Sequence, residues 1–473
     1  MERLGAMGYV PTTYLIPTSQ HSIELPKRIA KRVRKPRNVW LRELASSEPE
    51  LGFRLDYTSR ELQLRSPSGG LCAVCKGSKL LCGKSRCPVI ARLSSHLRIW
   101  RSTKGLSVDG SSPPSVFVGR FGYPYVNVGP LTPPFHGDTS LLDAPERWLG
   151  KTIEEIIDFR SQLIRGMHRV HVRRPGDAGR ILDRTRELAL AENYVETEMR
   201  LKKRPRKRFY VDGDVQPIGP TAPLEGIEIG YLKWNRYMEK AHYDTDLKAV
   251  DATRTLYDGG VPVNRIQRAF SVGSFGVERN RRLVPTRWSI TAVDDIVSKE
   301  LAGRVKDHPT VNQFEVYESD YLGNRFEVLL VPDAWSYEAY EAWYPQTLWN
   351  PSADHVAIVT DWEGNRGRWR YASMGGCYYA GRLAVLEHLV KARRQARVFI
   401  LREAYPDYIL PVGVWQVREN VRNAMRQLPR RYDTMDEALG RVMGRLSIGL
   451  DHWLGAGSLL RHTLTQRKLT EFL

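Results

Sequence analysis

The sequence predicts an α+β fold, in which a small N-terminal zinc module with four cysteine ligands precedes a large body of helices and hairpins and a flexible C-terminal tail. Three observations lead to this prediction. Helical and alternating apolar patterns are interspersed through the central chain without an internal repeat. Four of the five cysteines lie within the segment 72–87. The last ten residues, "LTQRKLTEFL", are mostly polar or charged and end on two large apolar residues, Phe472 and Leu473.

The composition is that of a folded protein with a polyanionic partner. Hydrophobic residues make up 42% of the 473 positions, and 12 tryptophans and 22 tyrosines argue against long disordered stretches. The net charge of +19 favours nucleic acid as the partner, then an anionic membrane, with ordinary surface charge as the alternative. No apolar run is long enough for a transmembrane helix, and the N-terminus lacks the plan of a signal peptide. We therefore expect an intracellular, cytoplasmic protein.

Changes in composition divide the chain into four parts. A basic arm is predicted over 1–65, where "ELPKRIAKRVRKPRNVW" carries no acid after its first residue. The zinc module follows over 66–92. The α+β body spans 110–460, with a candidate subdomain boundary near 205–225, close to the basic run "KKRPRKR". The terminal peptide occupies 464–473.

Within the body, local signals predict individual elements. Thr152 and Glu155 form a capping box at the start of the helix "TIEEIIDFRSQLIRGM". A second helix is predicted from Asp177 to "RLKK", ended by Pro205. "RRLVPTRWSITAV" predicts a strand that enters a helix at "DDIVSKEL", whereas "NQFEVYESDYLGNRFEVLLVP" and "DHVAIVTDWEGNRGRWRYASM" predict hairpins. Two amphipathic helices are predicted near the end, around Leu383 and Val417.

The cysteines have the spacing C-x2-C-x6-C-x4-C. A CxxC pair lets two thiolates reach one ion, and a second pair completes the closed tetrahedral geometry of structural zinc. An iron–sulfur cluster uses the same four thiolates, and four ordinary buried cysteines are the remaining alternative. Four cations between the ligands either contact phosphate or keep the module soluble. The predicted ligands are Cys72, Cys75, Cys82 and Cys87, and the cations are Lys76, Lys79, Lys84 and Arg86.

The last eight residues, "QRKLTEFL", follow the pattern of a docking peptide. On one turn of tight helix Leu469, Phe472 and Leu473 form a small apolar plug, while Gln466 stands apart to hydrogen-bond. This pattern resembles the PCNA-interacting peptide that docks on sliding clamps. The alternative is a last turn packed on the protein's own core.

Two of these features and the central block "SVGSFGVERNRRLVPTRWSITAVDD" together resemble the Nre family of archaeal DNA-repair proteins. The resemblance covers nearly the whole chain. It implies a role in repair of DNA damage, a C4-type zinc finger at the four clustered cysteines, and PCNA binding through Gln466, Leu469, Phe472 and Leu473. It does not imply a reaction.

The central block is the best place to look for a site. Glycines precede Arg279, Arg281 and Arg282, which predicts phosphate binding by amides and guanidinium groups. Arg287 and Trp288 pair a cation with a stacking surface, as in proteins that bind single strands or splayed bases.

Asp294 and Asp295 are candidate ligands of Mg²⁺ for phosphodiester cleavage, against the alternative that they favour the first turn of a helix. Weaker candidates are a histidine pair on a helix end as a second metal site, a His–Asp loop without a third partner, and a cysteine whose pKa a nearby helix start could lower. These are His168 with His171, His136 with Asp138, and Cys377. For the histidine pair the favoured alternative is that they complement the helix dipole as cations, and for the cysteine it is a small buried residue.

The sequence thus predicts a DNA-damage repair protein that PCNA recruits through the terminal peptide and that binds DNA through the zinc module and basic surfaces. The alternative is a nucleic-acid or nucleotide-processing enzyme, nuclease-like and metal-dependent, with its site in the 265–300 block. No recognisable catalytic set decides between them, so whether the chain is an enzyme stays open.

Overall fold

A computed structural model describes residues 80, 87, 105–175, 179–205, 218–345, 347, 349–350 and 355–465. The predicted basic arm, the ligands Cys72, Cys75 and Cys82, the module's four cations and residues 466–473 of the terminal peptide lie outside the described residues. The described part is α+β, as predicted, with two mixed six-stranded sheets. None of its helices is long and apolar enough to cross a membrane.

The first sheet has the strand order β1-β5-β6-β4-β3-β2, and its pairs are antiparallel except for β4 with β6. Its strands are β1 Ser107–Ser112, β2 Val116–Val118, β3 Tyr125–Thr132, β4 Ile164–His171, β5 Val195–Leu201 and β6 Thr221–Ile229. Helices α1 Ile153–Gln162 and α2 Gly179–Leu190 connect them. Valines of β2, β3 and β4 pack on Leu182 and Leu188 of α2, so this face of the sheet edge is core.

The second sheet has the order β10-β9-β11-β8-β7-β12, parallel only between β9 and β11. Its strands are β7 Phe314–Tyr321, β8 Asn324–Val331, β9 Ser336–Trp343, β10 Ala357–Glu363, β11 Arg397–Ala404 and β12 Arg430–Tyr432. One face packs on the helices of the central chain in the largest core. The other face is covered by the last three helices.

The helices around this sheet form two groups. The larger group comprises α3 Arg236–Tyr243, α4 Ala249–Asp258, α5 Val263–Ser271, α6 Thr286–Val305, α7 Gly376–Ala392 and α8 Trp415–Arg426. The smaller group comprises α9 Met435–Arg445, α10 Leu450–Ala456 and α11 Leu459–Thr465. Leu190 of α2 belongs to the same buried cluster as the larger group, so the first sheet's connections contribute to the core of the second.

Two local predictions are confirmed. The Thr152 and Glu155 capping box is present, and each side chain accepts a hydrogen bond from the other's backbone amide. The first predicted hairpin forms as β7 and β8, with Leu322 and Gly323 as the two turn residues, both at positive φ. A side chain at Gly323 would meet the backbone of Tyr408, so glycine is required there.

Three predicted elements are wrong. The predicted strand within "RRLVPTRWSITAV" is instead helical from Thr286, directly after Pro285, because its apolar residues are buried against neighbouring helices. The second predicted helix ends at Leu190, and "VETEMRL" forms β5 with alternate residues buried. Of the second predicted hairpin, only the first strand forms, as β10. After it, the Arg368 side chain bonds Asp361 at 2.9 Å, and the chain continues towards α7.

The buried carboxyl group of Glu327 makes the stability of the second sheet depend on pH. One oxygen accepts from Arg445 Nε at 2.6 Å, and the other is buried without a partner in the described structure. Burial raises the pKa of Glu327 from 4.5 to about 7, against the opposing effect of Arg445. Because the folded pKa is the higher one, the stabilisation is complete below pH 4.5 and is lost as the pH rises through 7.

We therefore expect the free energy of unfolding to fall by up to about 3 kcal/mol between pH 4.5 and pH 7.5 through this group alone. Glu327→Gln keeps a neutral side chain of similar shape and should remove that part of the pH dependence. Urea unfolding of both proteins across this pH range measures the difference. Parallel pH profiles for the two would contradict the assignment.

Candidate nucleic-acid interface

The segment that joins α5 to α6 carries the predicted arginines, and the structure gives them different roles. It turns at Gly273, where an added side chain would lie 2.6 Å from the Arg282 carbonyl oxygen. Arg281 donates to the carbonyl oxygens of Gly276 at 2.8 Å and His242 at 2.6 Å, so it holds this segment against the end of α3. Arg279 and Arg287 are exposed and Arg282 is half-buried. The three predicted phosphate ligands therefore do not form a single cradle.

The two central aspartates lie in the middle of α6 and not at its start, which corrects their predicted place. Asp294 is fully buried and accepts from Arg418 Nη1 at 2.9 Å and from Gln267 Nε2 at 2.8 Å. Asp295 pairs with Arg382 of α7 at 2.5 Å and with Lys299 at 2.7 Å.

These contacts occupy the carboxylate oxygens and tie α6 to α7 and α8. Within the part of the chain that the structure describes, no three His, Cys, Asp or Glu side chains are placed to hold a metal ion. The geometry favours a structural role for both aspartates.

The weaker candidates also take other roles. His168 and His171 lie on β4 and not on a helix end. His136 is exposed between Glu196 and Asp109, and its hydrogen bond to Glu196 raises its pKa. Asp138 accepts from the Ser140 amide at 2.9 Å.

Cys377 lies in the first turn of α7, and its surroundings agree with the favoured interpretation of a small buried residue and not with a lowered pKa. Burial and then the Glu341 carboxylate raise the pKa of the thiol well above its usual value. A protonated thiol is a poor nucleophile, which fits a packing role.

A surface that the sequence did not predict lies beside Arg287 and Trp288. The loop between β2 and β3 exposes Phe121 by 59%, Tyr123 by 46% and Tyr125 by 51%. The Tyr123 ring contacts Trp288 with 5.3 Å between centroids. We call these four side chains the aromatic face. Single exposed aromatic residues are common, but three grouped at one loop tip beside a half-buried tryptophan are not.

Arginines alternate with the rings of the aromatic face. In the β3–β4 ladder Tyr125 lies opposite His171, and Asn127 lies opposite Arg169. The Arg169 guanidinium lies 5.8 Å from the centre of the Tyr125 ring, and that of Arg120 lies 5.0 Å from the centre of Phe121. Stacking surfaces and positive charges thus occupy one continuous patch.

The loop is fixed from both sides by backbone hydrogen bonds. Within it, the Tyr125 amide donates to Gly122 at 2.9 Å. Behind it, the Val172 amide donates to the Pro124 carbonyl oxygen at 2.9 Å, and the Leu283 amide donates to the Val172 carbonyl oxygen at 3.0 Å. Three separate segments are therefore joined beneath the aromatic face, which holds its rings in place.

The start of α6 adjoins this region, and the starts of α7 and α8 follow in turn, that of α8 buried in the core around Trp148. Helices α6, α7 and α8 run parallel, since Asp295 meets Arg382 and Glu387 meets Arg422 further along. Near their starts, a side chain at Gly376 would lie 3.2 Å from Thr291 Oγ1 and 3.0 Å from Val414. Parallel helices add their dipoles, and their positive ends favour anions. Because Trp288 lies in the first turn of α6, this field reaches the aromatic face.

A second exposed aromatic residue with arginines lies near the same helix start. Trp369 is 81% exposed, and its neighbours Arg366 and Arg370 are exposed as well. Helix α7, which follows this loop directly, begins at Gly376 beside Thr291 of α6, so the loop lies near the start of α6. The positive surface therefore extends from the aromatic face towards the loop before α7.

A cavity of about 410 Å³ between α4 and α5 offers a less suitable site. Its Arg422 guanidinium is held by Glu387 and Glu419, and its Asn264 amide by Glu146. Its Arg422 and Asn264 side chains are therefore already bound to carboxylates of the protein.

The sequence contained a signal for the aromatic face that periodicity did not reveal. "GRFGYPYVNVG" places aromatic residues at alternate positions between glycines, directly after an arginine. Phe121 and Tyr123 lie in the turn before β3, and Tyr125 is the first residue of β3. What the sequence left out was that these rings are exposed to water and that Tyr123 lies against Trp288, more than 160 residues away.

Together, the fold and this surface define an α+β protein of two mixed sheets with an aromatic, arginine-rich patch of the kind that binds nucleic acids. The chain belongs to the archaeal Nre family. Residues 81–350 match the family model described as "Archaeal Nre, N-terminal", and residues 363–472 match "Archaeal Nre, C-terminal".

Curated relatives cover most of the chain. It is 39% identical over 403 residues to "DNA repair protein NreB" of Archaeoglobus fulgidus, a match that spans 85% of this chain and 100% of the relative. It is 37% identical to "DNA repair protein NreA" of the same organism, over 79% of this chain and 93% of the relative. The NreA protein of Haloferax volcanii is 34% identical over 75% and 86%. No solved structure matches the chain.

Proposed function

We propose that this protein acts in DNA repair, binds DNA through the aromatic face and its arginines, and is brought to its substrate by the sliding clamp PCNA. The observation that carries the proposal is the exposed, arginine-bounded aromatic face on a chain whose relatives are named DNA repair proteins. A net charge of +19 supports it, because contacts to phosphates dominate affinity for DNA.

The clamp is proposed as the partner of the last eight residues. Helix α11 is anchored by Leu459 and Leu460, which are buried in the core beneath the second sheet. Its last residue, Thr465, is exposed, so the peptide that begins at Gln466 starts from the surface. A terminal peptide of this pattern binds by ordering a few apolar side chains in a partner's groove.

A structural zinc ion is proposed in the module at 66–92. The donor set fits zinc, because four thiolates with one CxxC pair match a closed tetrahedral site. Cys72, Cys75, Cys82 and Cys87 would hold the ion, which would stiffen a small basic module. Such a site has no open position for catalysis.

The enzyme hypothesis gains no support from Asp294 and Asp295. Their oxygens are occupied by Arg418, Gln267, Arg382 and Lys299, and they do not converge with the surface arginines. These ion pairs and hydrogen bonds explain why the two aspartates lie in α6 without assigning them a catalytic role.

Deleting 466–473 is expected to weaken binding to the organism's own PCNA at least about 100-fold, because the whole apolar anchor is lost. Phe472→Ala and Leu473→Ala should each reproduce most of that loss. Lys468→Ala, between the anchoring positions, is the matched control and should bind normally. Surface plasmon resonance with immobilised clamp measures all four.

The same proteins distinguish a docking peptide from a part of the core. We expect their thermal unfolding midpoints to equal that of the intact chain. A deletion that lowers the midpoint by several degrees, or that leaves clamp binding unchanged, would refute this part of the proposal.

A further inference from the structure

We propose that the aromatic face selects unpaired bases, so that the DNA it binds is single-stranded or contains a splayed, unstacked segment. This inference rests on the proposed function, since it names the DNA structure that the proposed surface recognises. It is argued from the exposure, spacing and charge of the side chains around the β2–β3 loop.

The rings of the aromatic face are exposed although they are fixed in place. About half of each ring of Phe121, Tyr123 and Tyr125 is open to water, at a loop tip that backbone hydrogen bonds hold in one shape. Leaving that much apolar surface in water is unfavourable unless a ligand covers it. Because the loop is ordered before binding, little conformational entropy is lost on association.

The charge around the rings identifies the ligand as polyanionic. Three segments meet at the face, 119–128, 168–174 and 281–288, and together they contain no acidic residue and six arginines besides the inward-turned Arg281. The backbone bonds of Val172 to Pro124 and Leu283 join these segments directly. An apolar protein partner would not require so one-sided a charge, whereas a nucleic-acid strand repeats a phosphate for every base.

The pairing of rings with guanidinium groups favours unpaired bases over a duplex. In a duplex the flat surfaces of the bases are covered by their neighbours, so an exposed ring can reach only base edges and backbone. A single strand offers each base surface to an aromatic ring, and each phosphate to an arginine alongside it. Tyr125 beside Arg169, and Phe121 beside Arg120, supply two such units, and Tyr123 with Trp288 adds two further rings to the patch.

The test compares single-stranded and duplex binding by the full-length protein. Fluorescence anisotropy is measured with a labelled oligothymidylate of about 20 nucleotides and with a mixed-sequence duplex of the same length. We expect the single strand to bind at least about tenfold more tightly. Tyr123→Ala and Trp288→Ala should each weaken single-strand binding about tenfold and leave duplex binding nearly unchanged.

Two kinds of control separate stacking from charge and from folding. Tyr123→Phe and Trp288→Phe keep a ring and should bind nearly as the parent does, while Tyr231→Ala removes an exposed tyrosine from the loop after β6 and should have no effect. Arg169→Gln should flatten the dependence of log K on log salt by about 0.7 for one lost phosphate contact, whereas the ring variants should keep the slope. Circular dichroism verifies that each variant is folded.

The outcomes separate this inference from the proposed function. Equal affinity for both DNAs, or ring variants that bind the single strand normally, would overturn the inference and leave the DNA-binding proposal standing. Failure to bind either DNA would refute both. Ring variants that keep DNA affinity but lose self-association or clamp binding in analytical ultracentrifugation would show that the face is a protein interface, which also overturns it.

Discussion

Replacing Arg418 with methionine is expected to lower the free energy of unfolding by about 3–5 kcal/mol. The side chain is fully buried, and its Nη1 bonds both oxygens of Asp294, at 2.9 and 3.0 Å, while its Nη2 donates to Asn264 at 2.6 Å. Removing it leaves the Asp294 carboxylate in the core with only Gln267 as a donor. An uncompensated buried charge is among the most destabilising changes known in proteins.

The matched control is the exposed pair Arg304 and Asp258, whose contact distance is also 2.9 Å. Because water screens this pair, Arg304→Met should cost less than about 1 kcal/mol. The double replacement of Arg418 by methionine and Asp294 by leucine should recover much of the lost stability, because no charge is then left unpaired. The midpoints of urea unfolding measure all of these differences.

A further variant, Asp294→Asn, tests the role of Asp294. A structural carboxylate predicts that Asp294→Asn destabilises the protein but leaves DNA affinity per folded molecule unchanged. A metal ligand predicts the reverse, with unchanged stability and lost metal-dependent cleavage of DNA. The second result would restore the nuclease-like alternative.

Removing the proposed zinc ligands is the second change from which we expect a large effect, here on the folding of the module at 66–92. Binding of structural zinc contributes about 10–16 kcal/mol of apparent free energy in small modules, which is their folding free energy. A Cys72→Ser and Cys75→Ser double variant should therefore contain no zinc, and its residues 66–92 should become sensitive to protease, while the body keeps its thermal midpoint. The parent should contain one zinc ion per chain.

Elemental analysis with visible spectroscopy separates the alternatives for these cysteines. Cys377→Ser, which removes the one cysteine outside the cluster, is the matched control and should retain the metal. Iron with visible absorption would identify a cluster in place of zinc. A colourless parent protein without metal would show that the cysteines are ordinary thiols.

Predictions from the sequence are accurate where the interactions that define an element are local. Thr152 and Glu155 fix the start of α1, because a capping box needs only residues three apart. The hairpin of β7 and β8 was also predicted, because its alternation and its glycine turn are adjacent in sequence. Its turn lies at Leu322 and Gly323, one residue earlier than the sequence suggested.

Elements whose form depends on packing were predicted less well. Thr291 and Val293 are β-branched and favour strands in isolation, but they lie in α6, where both are buried. The sequence predicts the end of a helix where β5 forms, because the partner strands β1 and β6 lie in other parts of the sequence. Intrinsic preferences of a few tenths of a kcal/mol are outweighed by such burial.

The sequence by itself determined the family, the α+β class, the basic character and the two short motifs, because these depend on residue type and spacing. Only the tertiary structure decided which charged residues meet water. It buries Asp294 against Arg418, turns Arg281 inward, and brings Tyr123 onto Trp288. The physical reason is that burial and pairing are set by contacts between segments far apart in the chain, and these contacts decide whether a charge or a ring is available to a partner.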